Sequence, residues 1–184
     1  MTGPIEAWHF IRADHRTGKG GLLVEPGQTL RVDPPLKLCR HGLHGCVRAD
    51  IALSYAPGPV ICRTLHTGEI VSDTDKLCST ERTCLWLANA ERTLLEFACH
   101  VTEMGLRRVG VTDQSGYRGL GAQRAWLRGE ISNEELDRIV GPDWRALAWC
   151  SARDAVYHSL WYTPHTERNS LLESMLWELK PKDV

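Results

Sequence analysis

The chain has 184 residues, 42% of them hydrophobic and 24% charged, with a formal net charge of −1. That length suits one compact domain or two small ones, and the apolar share excludes wholesale disorder. The balance also excludes a generic polyanion binder, because neither half conceals a basic domain. Residues 1–80 hold nine Lys/Arg against eight Asp/Glu, leaving 13 against 15 for the remainder.

The first residues carry neither a basic segment nor an apolar one of the secretory kind, and no run approaches about 18 apolar residues. A cytoplasmic location and no membrane partner are therefore expected, with the seven cysteines reduced and mostly buried. Residues 8–12 form a short aromatic and β-branched run that predicts a strand, followed by a glycine-rich loop at 16–21. Asp50 is expected to cap a short helix over 51–55, which must stop at Pro57-Gly58-Pro59. Strands are predicted over 60–65, 69–72 and 76–84, with Thr67-Gly68 as a turn.

The second half of the chain is expected to be helical. Leu87, Glu91, Leu94, Leu95, Ala98 and Val101 fall on a 3.6-residue stripe that predicts a helix over about 89–105. Ser132 and Glu135 have the spacing of a capping box, opening a helix that ends before Gly141-Pro142. A further helix is predicted from Trp144 to about Tyr162. Leu171, Leu172, Met175, Leu176 and Leu179 make the cleanest amphipathic stripe, to be docked on the core. The expected fold is α+β. An N-terminal antiparallel or mixed sheet of four to six short strands carries a C-terminal helical layer, in a single domain with a soft boundary near residue 86.

Four sets of residues could carry chemistry. Cys39, His41, His44 and Cys46 supply four potential zinc ligands within eight residues. Zinc usually takes two close pairs from separate segments, so pairing two of them with Cys62, Cys78 or His66 would be easier geometrically. No metal site is assigned on this spacing, and these four remain its candidates. Gly116 to Gly121 reads as a loop ahead of the helix carrying Arg124, where Arg118 and Arg124 could hold a phosphate. Its structural alternative is a glycine turn. Five of the seven tryptophans lie in the helical half, and Trp and Arg are enriched at binding hot spots. Trp144, Arg145, Trp149, Arg153 and Trp161 are the candidate partner-binding residues, the alternative being that these tryptophans fill the helical core.

The fourth set combines Gly42-Leu43-His44, Asp50 to Ala56 and Thr67-Gly68-Glu69-Ile70. This order resembles the core of the ADP-ribosyltransferase fold, in which a strand with Gly-Leu-His leads into a helix with an Ala-x-x-Tyr pattern. The resemblance covers about residues 6–72 and extends to Trp8-His9-Phe10 as a first core strand. It implies that His9 binds the ribose of NAD, that His44 stacks on nicotinamide, and that Tyr55 completes the site. The chain departs from that pattern after His9, where no Gly-Thr or Gly-Ser follows, and it offers no catalytic Glu on a late core strand.

A wider set comprises Gly42 to Cys46, Ala52 to Gly58, Gly68-Glu69-Ile70 and Asp75 to Cys78. Together with Trp149 to Ala155 and Leu171 to Leu176 it is similar to an uncharacterised domain family of bacteriophage and prophage proteins. This resemblance implies a phage-type accessory protein that binds a host cytosolic protein or complex, such as a defence component (an anti-CRISPR-like role) or a regulator. On that reading the protein is a monomer or small homo-oligomer without cofactor or catalysis. The alternative is an ADP-ribosyltransferase-like enzyme or binder of NAD or another nucleotide.

Overall fold

A computed structural model describes residues 3–18, 21–110, 112, 114–141 and 164–183. The chain divides into two compact units, Met1–Ala90 with Leu176–Val184, and Glu91–Met175. The fold is α+β, and every strand pairing is antiparallel.

In the first unit the strands are β1 (Ile5–Ile11), β2 (Thr29–Arg31), β3 (Leu43–Gly45), β4 (Val60–Ser72) and β5 (Leu77–Asn89), with helix α1 (Ala49–Ser54) between β3 and β4. The sheet order is β1-β4-β5-β2, and β3 shares the outer side of β5 with β2. Leu43 to Gly45 lie against Ser79 to Leu77, while Thr29 to Arg31 lie against Thr83 to Glu81. Just beyond β3, Cys46 exchanges two backbone hydrogen bonds with Trp8 of β1, at 2.7 and 3.0 Å. The strands β1, β4, β5 and β3 therefore curl into a closed ring, which satisfies backbone groups that a flat sheet would leave on its edges.

Three expectations are corrected here. The predicted strands 60–65 and 69–72 are one strand, because Gly68 (φ +74°) sits in a bulge between Thr67 and Ile70 rather than in a hairpin turn. The strand expected over 76–84 continues to Asn89, past a second irregularity opposite Arg63/Thr64. Asp50 is not the cap of α1. Arg48 occupies that position without a side-chain cap, and Asp50 is a buried residue of the first turn held by both arms of the Arg48 guanidinium, at 3.0 and 2.6 Å.

The outer face of this sheet is aromatic. Trp8, Trp86 and Trp177 meet edge to face or tilted, with ring centroids 5.4–5.9 Å apart. The Arg63 guanidinium lies 4.6 Å from the Trp8 ring centre and is paired with Glu6. The inner face is mixed. Ile11, Val24, Val60, Cys62 and Cys84 form an apolar cluster, and a run of polar side chains continues from it along β4 and β5.

The second unit is helical, with α2 (Glu91–Arg108), α3 (Gln114–Leu127) and α4 (Asn133–Val140). Leu95 and Cys99 of α2 pack with Leu120 and Leu127 of α3. Ser132 caps α4 as its spacing predicts, accepting the Glu135 N–H at 3.2 Å. The last helix, α5 (His165–Trp177), buries Arg168, Leu172 and Leu176 at four-residue steps, and Leu171, Met175 and Leu179 are half-buried beside them. No helix among the described residues is long and apolar enough to cross a membrane.

Candidate functional site

The inner face of the ring holds an unusual density of buried polar groups. Antiparallel pairing sets Ala7 of β1 opposite Thr64, His9 opposite Cys62, and Arg82 of β5 opposite His66. Cross-strand partners project to the same face, so His9, Thr64, His66 and Arg82 all enter the interior of the ring. Thr64 donates to the Ala7 carbonyl at 3.0 Å and touches His66 Nε2 at 3.2 Å. His66 Nδ1 lies 2.8 Å from Ser79 Oγ, which donates to the Glu81 carbonyl. Gly45 explains how β3 approaches so closely. A Cβ at that position would stand 2.5 Å from His66 Nε2 and 3.0 Å from the Ala7 Cβ.

Electrostatics keep these histidines uncharged. Burial, and then the nearby positive charge of Arg82, push the His66 pKa down to about 3. The same two causes hold His9 well below the usual imidazole range. Desolvation disfavours any charged form, and a neighbouring cation disfavours a second one. His9 Nε2 is fully buried and has no hydrogen-bond partner among the described residues. An unsatisfied buried nitrogen costs about 1–3 kcal/mol, and such groups are few in folded proteins.

A cavity of about 780 Å³ opens beside this layer. Its walls include His9 of β1, His44 of β3, Cys46, Tyr55 at the end of α1, and Lys76 and Arg82 of the β4–β5 hairpin. Arg82 is 3% exposed, and one of its guanidinium nitrogens donates to the His44 carbonyl at 2.7 Å. The His44 ring accepts the Cys39 N–H at 2.9 Å through Nε2, which leaves the proton of the neutral ring on Nδ1. Tyr55 is exposed at the rim, where its hydroxyl donates to Asp75 at 3.0 Å and accepts from Lys76 at 3.2 Å. His9, His44 and Tyr55, expected together from the ADP-ribosyltransferase resemblance, thus share one cavity.

The other predicted sets fare differently. Cys39, His41, His44 and Cys46 all touch the cavity wall, yet their side chains are committed separately. His41 Nε2 bonds the Asp33 carbonyl at 2.6 Å, and burial pushes the Cys46 thiol up to about 12, far from a thiolate ligand at neutral pH. Among the described residues no three His, Cys, Asp or Glu side chains gather as a metal would require. The phosphate loop expected at Gly116 to Gly121 is corrected: those residues lie within α3, where packing of Leu120 and Leu127 on α2 outweighs the low helix propensity of glycine. Arg124 there is paired with Glu103 at 2.5 Å, and Arg118 is exposed. Trp144, Arg145, Trp149, Arg153 and Trp161 lie outside the described residues.

Sequence reading missed Arg82, Thr64 and Ser79 altogether, and named His66 only as a possible zinc ligand. One signal was available in the alternation of β5. Arg82 shares its phase with Cys78 and Cys84, and a charge in an apolar phase marks an inward position that needs an explanation.

Comparison with protein-family models, with curated proteins and with solved structures yields no match. The chemistry of the site is therefore the ground for a functional reading.

Proposed function

We propose that this protein binds a small organic ligand in the cavity between β1, β3 and α1, and that the ligand is a nucleotide of the NAD or ADP-ribose kind. The observation that carries this reading is the convergence of His9, His44 and Tyr55 on the wall of one cavity. Its volume of about 780 Å³ falls in the usual range for ligand pockets, roughly 300–1,000 Å³. The half-buried His44 ring and the exposed Tyr55 ring offer flat surfaces for a base or nicotinamide.

The reading is one of binding rather than group transfer. ADP-ribosyl transfer in the resembling fold uses a glutamate, and the described residues lining the cavity include no Asp or Glu. The host-macromolecule partner implied by the phage-family resemblance would use tryptophans outside the described residues, so it draws no support from this cavity.

Calorimetric titration of NAD, ADP-ribose and adenosine into the full chain tests the reading, with His44→Ala and Tyr55→Ala as variants. Saturable binding of at least one ligand, weakened about tenfold or more in the variants, is the expected result. Absence of heat and of any thermal shift with all three at millimolar concentration would overturn it.

A further inference from the structure

Resting on the reading of the cavity as a ligand site, we infer that Arg82 is its anion-binding group and that the ligand is held there through a phosphate. The case begins with how other arginines of this protein are satisfied. Arg48 holds Asp50, Arg63 holds Glu6 and Arg124 holds Glu103, each within about one hydrogen-bond length. Arg82 is buried more deeply than any of these three, and no Asp or Glu lies within ion-pair distance of it among the described residues. Its one hydrogen bond among the described residues goes to the His44 carbonyl. Taking a guanidinium out of water is costly unless an anion and further acceptors replace the hydration.

The surroundings fit an anion and no internal one is supplied. Arg40, Lys76 and Arg82 contribute to the cavity wall; Lys76 is shared at the rim with Asp75 at 3.7 Å, and no Asp or Glu is among the described lining residues. The titratable neighbours of Arg82 are the Cys62 and Cys84 thiols, together with His9 and His66, which burial and Arg82 hold neutral, so neither histidine repels the guanidinium strongly. The bond to His44 fixes the plane of the guanidinium and occupies one of its five N–H donors. The others remain for a two-oxygen face of the kind phosphate presents. Arg82 and Arg40 beside one cavity, with the partly compensated Lys76, suit a phosphate group, with its higher charge, better than a single carboxylate.

The competing role for Arg82 is a brace that only ties β3 to β5 through the His44 carbonyl. Titration of inorganic pyrophosphate, succinate and adenosine into the full-length protein separates the possibilities. Pyrophosphate should saturate one site, weaken with added salt, and lose about tenfold or more in affinity in Arg82→Gln, with a smaller loss in Arg82→Lys. Should Arg82→Gln fail to fold, the wild-type protein still answers. Its backbone amide resonances at His9, His44 and Arg82 should shift with pyrophosphate and saturate together. Adenosine binding without pyrophosphate binding would overturn the inference and leave the nucleotide cavity standing. Pyrophosphate binding without adenosine or NAD binding would support the anion site and remove the nucleotide. Succinate binding in place of pyrophosphate, or amide shifts confined to other arginines, would also overturn it.

Discussion

Two arginines on opposite faces of one sheet show how differently a buried cation can be accommodated. Arg63, on the outer face, is stacked over Trp8 and Trp177 and paired with Glu6 at 3.1 Å. Arg82, on the inner face, has a single carbonyl as hydrogen-bond partner, with two neutral histidines and the Cys62 and Cys84 thiols nearby. The first arrangement is complete within the chain and holds the sheet together. The second has no carboxylate among the described residues within ion-pair distance and borders the cavity, where the proposed ligand would complete it. On the proposed reading, the two faces would divide the sheet between stability and binding.

The largest effect expected from breaking this division is on the outer face. Trp86→Ala should lower unfolding free energy by about 3–5 kcal/mol, because it empties a fully buried aromatic site shared with Trp8 and Trp177. Urea denaturation measures this, and a loss under about 1 kcal/mol would show the aromatic face to be incidental. Next comes the inner face, where pH is the probe. Unfolded histidines take up protons as pH falls below about 6.5, whereas His66 in the fold resists until about 3. Stability should therefore fall with decreasing pH across that window, by about 1.4 kcal/mol per unit for each such histidine. His66→Gln should flatten the slope by one histidine's share, and an unaltered slope would mean that another group dominates.

The smallest and most discriminating effect comes from neutralising the two arginines in parallel. Arg63→Met should cost about 1–2 kcal/mol, through loss of the Glu6 pair and the stacking on tryptophan. Arg82→Met should leave stability within about 1 kcal/mol of wild type, since removing an unpaired buried charge offsets the lost bond to His44. Equal and large losses from both would place Arg82 with the structural arginines.

Much of the fold was legible in the sequence where the signal is local. Ser132 and Glu135 announce a helix start because the cap is made by residues three apart. The α+β division follows from periodicity. Bulges defeated the same method in the sheet. Gly68 looks like a turn because a turn and a bulge both want a positive φ, and only the partner strand decides between them. The candidate site was half legible. His9, His44 and Tyr55 belong to short motifs whose order suggested a shared purpose. Arg82, His66 and Ser79 acquire meaning only through cross-strand register, which no stretch of β5 or β4 encodes by itself.

The tryptophan cluster sets an order of events during synthesis. Trp8 and Trp86 are made early, but Trp177 leaves the ribosome about 90 residues after the last strand of the sheet. Until then the outer face exposes two large rings and the Arg63 guanidinium to solvent and to other chains. At a typical elongation rate of roughly 5–20 residues per second, that interval lasts several seconds or longer. The nascent sheet is therefore at its stickiest just after its own strands are complete, and removing the segment from Trp177 onward should trap it there.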